Sequence, residues 1–426
     1  MNAARMRRNL PRFICVVLSS FGFAGAVSAA GWVPHELLPP AAESGPTLCQ
    51  SHYLTPEQGE AVLQAALKKF PDQHSWSTYA THVRQRVQEG AGLAPWPRRT
   101  DLRPIAHSRR NYDGYSVENV AFESIPGYFV AGNLYRPLGG TGPRPAVLNT
   151  HGHSAPVRSP EDEDRHGRFH ASRQARAAML ARLGAVVLAI DMFGYGDSIA
   201  QVGQEAHRSE VAMTIQVWNT IRALDYLESL EDVDPRRIAV AGESGGGTQA
   251  FLLAALDDRP AASVPVVMVS GCFFGGCPCE SGRPVHRSAD HFASNAMLAA
   301  LTAPRPQLVI SDGKDWTQHV PQMEFPFLRQ IYGYFGAADR VQNVHLPDEG
   351  HDYGPSKRAA TYAFLERVIG IAPAPLDAEG KVDERGVAIE TAKQLRTFTG
   401  VYPLPAHALR DAQAVAERLR ELQATP

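Results

Sequence analysis

Short apolar runs that alternate with amphipathic stretches constrain the fold of this chain more than any other feature. Runs with the composition of buried strands occupy residues 146–148, 185–190, 238–241, 264–269, 307–310 and 342–346. Helix candidates lie at 171–183, 209–229, 246–256, 323–335 and 356–369. This alternation is typical of βαβ units, in which helices cover both faces of a parallel sheet. Since such sheets bind ligands at the carboxyl ends of their strands, functional residues are expected just after each strand.

The chain before residue 115 has a different character. Thr55-Pro56-Glu57-Gln58 combines a helix N-cap, a proline at the first helical position and a capping-box partner, and a second helix is predicted at 76–88. An antiparallel strand pair follows at 116–124 and 128–135. We therefore expect a helical N-terminal extension at 31–114, an α/β domain with about eight mostly parallel strands at 115–370, and a C-terminal linker and helical tail at 371–426.

The first thirty residues have the three parts of a cleavable signal peptide. A segment with four arginines precedes an apolar run of about fourteen residues, and small residues end at Ala29-Ala30. The run is shorter than the roughly twenty residues that span a membrane. The prediction is export to the periplasm or the medium, with no membrane association after cleavage. Arg7-Arg8 leaves both the general and the twin-arginine route open.

Composition narrows the partners of the exported chain. A length of 426 residues with 44% hydrophobic and 20% charged residues excludes a disordered or fibrous protein. Without residues 1–30 the chain keeps 38 basic and 44 acidic residues, so its surface does not favour polyanions. Nucleic acid is therefore excluded as a partner, and the oligomeric state stays open.

The remaining cysteines are Cys49, Cys272, Cys277 and Cys279. In an oxidising compartment they can form up to two disulfides, and the sequence does not choose among the three pairings. The C-x4-C-x-C cluster lacks the paired C-x2-C spacing of zinc sites, so a stapled loop is favoured and no metal is expected.

The strongest chemical signal is the G-x-S-x-G turn at Gly242-Glu243-Ser244-Gly245-Gly246. An apolar strand enters the turn and a helix leaves it, which is the arrangement that projects a serine hydroxyl above the edge of a sheet. A serine hydroxyl is a weak nucleophile unless a base takes its proton. Ser244 is therefore the candidate nucleophile, and a histidine with an orienting carboxylate is expected after it in the chain.

Two later loops supply these partners. Asp312 and Asp315 follow the strand at 307–310, and Asp315 is preferred because it lies beyond the Gly313 turn, which Asp312 could instead stabilise. His351 follows the last strand, where the base is expected. For the oxyanion of a tetrahedral intermediate, the predicted donors are the amides of Gly245 and His153.

Several side chains beside these positions are candidates for contact with a substrate. They are Glu243, Phe193, Tyr195, Phe273, Phe274, Trp316 and Tyr353. An aromatic residue is more often part of a core than of a site.

Five motifs in order resemble the α/β-hydrolase superfamily over residues 115–370. They are His151-Gly152-His153, Asp191 to Ser198, Gly242 to Gly246, Gly313 to Trp316 and Glu349 to Asp352. The loop Ser270 to Glu280 and the N-terminal helices are similar to the acetyl xylan esterase-like and dienelactone-hydrolase-like branch. This resemblance implies an exported serine esterase without a cofactor, acting on a small-molecule or carbohydrate ester of acetyl xylan type, with Ser244, Asp315 and His351 as the triad.

Other functions stay open at this stage. A serine peptidase of the prolyl-oligopeptidase type shares the fold and the triad, but residues 31–110 are too short and too helical for its propeller. A binding protein that kept the fold, and a lyase or haloperoxidase that uses the same site, are further alternatives. The acyl group and the alcohol of the substrate are not specified by these motifs.

Overall fold

A computed structural model describes residues 31–40 and 51–424 of the chain. The signal-peptide prediction and Cys49 lie outside the described residues, so the cysteine pairings that involve Cys49 are not tested. Within the described ranges no helix combines the length and the apolar composition needed to cross a membrane.

The described strands form one large sheet and one small ribbon. They are β1 (Ser51–His52), β2 (Ile105–Asn111), β3 (Tyr115–Ile125), β4 (Tyr128–Pro137), β5 (Arg144–Thr150), β6 (Val186–Ile190), β7 (Val233–Glu243), β8 (Ala262–Val266), β9 (Phe273–Gly275), β10 (Gln307–Asp312) and β11 (Val341–Leu346).

The described α-helices connect these strands and extend both ends of the chain. They are α1 (Pro56–Lys69), α2 (Gln73–Gly90), α3 (Pro160–Glu163), α4 (Ala171–Arg182), α5 (Ile199–Val202), α6 (Ala212–Glu228), α7 (Gly245–Leu256), α8 (Pro278–Ser281), α9 (Asn295–Ala300), α10 (Glu324–Tyr334), α11 (Pro355–Ile369), α12 (Ala392–Leu395) and α13 (Ala412–Ala424).

The large sheet has the strand order β11-β10-β8-β7-β5-β6-β4-β3-β2. The pairs from β11 to β6 are parallel, and the pairs from β6 to β2 are antiparallel. Eight of these strands match the eight predicted runs. The ninth, β2, lies in the range predicted as a helical extension and pairs with β3 at the edge. Its sequence IAHSRRN is half exposed and polar, so it lacks the apolar run by which the other strands were found.

Alternating side chains of the strands supply a hydrophobic core on each face of the sheet. Val186 and Leu188 of β6 contribute to the core that α2, α6, α7 and α10 cover. Val187 and Ala189 contribute to the opposite core, which α4 and α11 cover. Burial on both faces explains why the central strands are continuously apolar.

The two ends of the chain pack against this sheet. The predicted capping box of α1 is present, with the Thr55 side chain accepting from the Gln58 amide. Trp76 of α2 packs edge-on against Phe327 of α10, with ring centroids 6.0 Å apart.

The segment after α11 crosses β3 and β4. Asn119 Nδ2 donates to the carbonyl of Arg396, and Thr397 Oγ1 donates to the carbonyl of Val120. The same segment covers a buried ion cluster in which Arg168 pairs with Asp191 and Asp197. The Thr397 amide donates to Asp197 Oδ2 at 3.0 Å, so the tail completes the hydrogen bonding of that cluster.

Candidate active site

Ser244 lies in the sharp turn between the last residue of β7 and the first residue of α7. Its backbone has φ 55° and ψ −124°, a region that a residue with a Cβ atom rarely adopts. The Ser244 amide donates to the carbonyl of Val266 at 3.0 Å, which fixes the turn to β8. Strain of this kind persists only where the surrounding structure enforces it, and it is concentrated at functional sites.

The glycines of the turn are required by close backbone approach. A Cβ atom on Gly246 would lie 2.8 Å from backbone atoms of Thr150 and His151, and one on Gly242 would lie 2.6 Å from the Gly246 carbonyl oxygen. A Cβ atom on Gly152 would lie 2.9 Å from the Ser244 Cβ atom. These contacts let the loop after β5 lie directly against the serine.

Asp315 and His351 meet at the carboxyl ends of β10 and β11. The two strands are paired in parallel with Asp312 opposite Leu346, so the loops that follow them are neighbours. His351 Nδ1 lies 2.7 Å from Asp315 Oδ2. The Thr317 amide and hydroxyl both donate to Asp315 Oδ1 at 2.6 Å, which holds the carboxylate in place.

The alternative carboxylate, Asp312, faces another group. Its Oδ1 accepts from the Lys314 amide at 3.1 Å, and its Oδ2 lies 3.3 Å from Nζ of the buried Lys357. Burial and the charge of Asp315 raise the pKa of the Asp312 carboxyl, while Lys357 opposes the increase. Of the two aspartates, only Asp315 contacts His351 in the described residues.

The carboxylate of Glu243, a predicted substrate contact, is held by three protein groups. Its side chain is buried, with Oε1 accepting from the Gly152 amide at 3.0 Å and from Arg173 Nε at 2.7 Å. Oε2 accepts from Arg176 Nη1 at 3.0 Å. Burial alone would raise the pKa of this carboxyl, but Arg176 and Arg173 hold it well below its usual range. Glu243 thus ties the turn that carries Ser244 to the loop that carries Gly152.

Hydrogen bonds of His151 hold the loop after β5, which carries the predicted oxyanion donor His153. His151 Nε2 accepts from the Met192 amide at 3.3 Å, so its Nδ1 carries the proton and donates to the Gly152 carbonyl at 2.9 Å. Burial and Arg173 hold the pKa of His151 well below its usual value, so the ring is neutral. Gly245 is the first residue of α7, and the first amides of a helix have no partner within it.

Two clefts meet at Ser244. The first, of about 440 Å³, is lined by predicted contact residues Tyr195, Phe273 and Trp316. The second, of about 400 Å³, is lined by His351 and by the predicted contacts Glu243 and Tyr353. Trp316 stacks on Phe273 with centroids 4.0 Å apart and also contacts the His351 ring.

Phe193 and Phe274 belong to the core instead. Phe193 is fully buried and packs edge-on against Tyr128, and Phe274 is fully buried and stacks on His286. Neither side chain lines either cleft.

One group in the first cleft was missed by sequence reasoning. His207, in the short 3-10 helix Gln204–Arg208, lies with its Nε2 3.0 Å from His153 Nε2. His153 Nε2 is also 3.1 Å from Cys279 Sγ. The thiols of Cys272, Cys277 and Cys279 are not joined in disulfides with one another, so the stapled loop is not formed among these three. No local pattern marks His207, because its neighbours in space are distant in sequence.

This chain is similar in sequence and structure to known esterases. Residues 101–271 match the acetyl xylan esterase (AXE1) family. The structure of Methylesterase BT1017 is 38% identical in sequence with a TM-score of 0.76, and the match covers 90% of this chain and 85% of that chain.

Two curated proteins are also similar. YtaP of Bacillus subtilis (strain 168), described as a hydrolase, is 35% identical over 267 residues, which are 58% of this chain and 84% of YtaP. A 4-O-methyl-glucuronoyl methylesterase of Neurospora crassa is 25% identical over 297 residues, which are 59% of this chain and 68% of that protein.

These matches confirm the fold and the family that the ordered motifs resemble. The chain belongs to the acetyl xylan esterase-like branch of the α/β-hydrolase superfamily, and it is a carboxylic ester hydrolase.

Proposed function

We propose that the chain is a serine esterase that cleaves esters of carbohydrates through Ser244, His351 and Asp315. The observation that carries this proposal is the 2.7 Å contact between His351 Nδ1 and Asp315 Oδ2, beside a serine held in a strained strand-to-helix turn. With Nδ1 directed to the aspartate, Nε2 of His351 is the nitrogen free to accept a proton.

The reaction proceeds through an acyl-enzyme. His351 takes the Ser244 proton as the hydroxyl oxygen attacks the ester carbonyl, and the amides of Gly245 and His153 stabilise the oxyanion. His351 then protonates the departing alcohol. Water deprotonated by the same imidazole cleaves the acyl-enzyme, which restores Ser244, and Asp315 holds the imidazole in position throughout. None of these steps requires a cofactor.

The substrate class has two candidates. The methyl ester of a uronic acid is favoured by two relatives whose names describe methylesterases. The exposed Arg208 and Arg165 at the rims of the first and second clefts suit a uronic acid chain, in which neighbouring sugars carry free carboxylates. The acetyl ester of a xylan-type polysaccharide, expected from the sequence, is favoured by the family match.

The two candidates differ in the part of the substrate that stays on Ser244. A methyl uronate loses methanol and leaves the sugar attached to the serine, whereas an acetylated sugar leaves an acetyl group. A cleft on each side of Ser244 provides room for a sugar in either arrangement.

Export to the periplasm or the medium is part of the proposal, supported by the basic, apolar and small-residue pattern of residues 1–30. Sequencing the N-terminus of the protein recovered outside the cytoplasm tests it. A first residue near Gly31 is expected, and an intact Met1 in all fractions would contradict export.

The enzymatic test uses purified chain from residue 31, with methyl-esterified oligogalacturonide, a glucuronoyl methyl ester and acetylated xylan. Methanol and acetate release are measured for the native sequence and for Ser244→Ala, with Ser229→Ala, at the end of α6, as the matched control. We expect release that Ser244→Ala abolishes and the control retains. Equal release by Ser244→Ala would refute Ser244 as the nucleophile, and the absence of release from all three substrates would refute the carbohydrate class.

A further inference from the structure

Four side chains from three segments of the chain converge at the wall of the first cleft. They are His153 in the loop after β5, His207 in the 3-10 helix, Cys277 before α8, and Cys279 within α8. One ligand atom from each lies within 4.8 Å of the ligand atoms of the other three. Three of the four side chains are buried, and His153 is half-buried, so the group is largely withdrawn from solvent.

The spacing fits a small tetrahedral ion. A zinc ion with bonds of about 2.0–2.1 Å to nitrogen and about 2.3 Å to sulfur separates its ligand atoms by roughly 3.3–3.8 Å. His153 Nε2 is 3.0 Å from His207 Nε2 and 3.1 Å from Cys279 Sγ. If these ligand atoms moved apart by a few tenths of an ångström, their separations would match those around a zinc ion.

The imidazole of His207 is oriented by a group outside the cluster, and the imidazole of His153 faces a buried carboxylate. His207 Nδ1 donates to the Phe193 carbonyl at 2.8 Å, so the lone pair of its Nε2 points at the cluster. His153 Nδ1 lies 3.6 Å from Oε1 of the buried Glu280, whose Oε2 accepts from the Gly276 amide at 2.8 Å. A carbonyl or carboxylate on the second ring nitrogen is the usual support of a metal-binding histidine.

We propose that His153, His207, Cys277 and Cys279 form a structural Zn²⁺ site. Four protein ligands of this kind complete the coordination of zinc, so the site is closed and does not supply a metal-bound water. Binding releases the two thiol protons to solvent, and two thiolates balance the charge of the ion. Since the imidazoles come from outside the cysteine loop, the sequence contains no compact zinc motif.

The site would bind two walls of the cleft together. His153 belongs to the loop that lies against Ser244, and a Cβ atom on Gly245 would lie 2.9 Å from His153 Cε1. Cys277 and Cys279 flank the start of α8, next to β9 and its Phe273. An ion held by both segments would fix the loop after β5 relative to the nucleophile, independently of the ester that the enzyme cleaves.

The test measures bound metal rather than activity. The protein is folded with Zn²⁺, unbound ions are removed, and bound zinc is measured by inductively coupled plasma mass spectrometry. The variants Cys277→Ser, Cys279→Ser and His207→Ala are treated in the same way. Cys272→Ser is the matched control, because Cys272 is a buried thiol of the same loop whose neighbour is Ser270 at 3.5 Å. We expect one zinc per chain in the native sequence and the control, and at least tenfold less in the cluster variants.

A second measurement covers variants that fail to fold. Folding the native sequence with Co²⁺ should produce the intense visible bands of a tetrahedral site and a thiolate charge-transfer band, and chelation should expose two thiols to labelling. Three outcomes would each overturn the proposal. They are no bound ion in protein folded with metal, a Cys277–Cys279 disulfide found by mass spectrometry, and undiminished zinc in the cluster variants.

Discussion

Replacing Glu243 with glutamine separates two roles for this residue. Glu243 was expected to contact substrate, whereas its carboxylate pairs with Arg173 and Arg176 and accepts from the Gly152 amide. Glutamine keeps one oxygen but places an NH2 group, a donor, where the second oxygen faces a guanidinium. If Glu243 is a positioning residue, the substitution should lower stability and turnover together.

The expected loss of stability in Glu243→Gln follows from the burial of the ion pair. The Arg176 side chain is 0% exposed and that of Glu243 is 8% exposed. Water therefore cannot solvate the arginine charge once the carboxylate is gone. Removing one partner of a buried ion pair costs about 3–5 kcal/mol. Release of Gly152 also shifts the loop beside Ser244, and a displacement of about 1 Å at a catalytic centre can lower the rate about 100-fold.

Urea unfolding and steady-state kinetics measure both effects. The matched control is Glu210→Gln, an exposed glutamate before α6, which should change the free energy of unfolding by less than about 0.5 kcal/mol. We expect Glu243→Gln to lose about 3–5 kcal/mol and to lower kcat with little change in KM. Unchanged stability with raised KM and native kcat would show that Glu243 contacts substrate and would refute the reasoning.

Three further substitutions test individual carboxyl groups. Asp315→Asn should lower kcat by about 10³–10⁴-fold because the histidine loses its orienting charge, whereas Asp312→Asn should mainly reduce stability through Lys357; equal kcat values for the two variants in ester hydrolysis would contradict this. Glu324 is buried, with Oε1 accepting from the Gly271 amide, and burial raises its pKa to about 7. Because the folded state holds this proton more tightly than the unfolded state, stability should fall by about 3 kcal/mol as pH rises from about 4.5 to about 7. Glu324→Gln should remove that dependence in urea unfolding followed across this pH range, and an unchanged slope would rule it out.

The central sheet could be predicted because each buried strand appears in the sequence as a continuous run of apolar residues. A strand covered on both faces needs consecutive apolar residues, so β5, β6 and β8 were visible as runs. The edge strand β2 has no such requirement, and its pairing partner β3 is what defines it.

The same distinction applies to the site. Ser244 could be found because its turn needs glycines at fixed spacing. The ion pair of Glu243 depends on Arg173 and Arg176, about 70 residues earlier in the chain. These arginines lie three apart on α4, a spacing that puts them on one helix face, and this was the available signal.

The cluster around His207 also depends on contacts between residues that are far apart in sequence. His207 is 54 residues from His153 and 70 from Cys277 in sequence. Only the folded chain brings these segments together.

The tail that covers Arg168, Asp191 and Asp197 has a consequence for shortening the enzyme. Ending the chain after α11 would remove the Leu395 carbonyl and the Thr397 amide from that cluster and admit water to side chains that are 1% exposed. Since Asp191 directly follows β6 and its carboxylate also accepts from the Asp197 amide, the loop that carries Tyr195 would lose its anchor. We therefore expect the segment after α11 to support the loop at the candidate site, and a useful minimal enzyme should retain it.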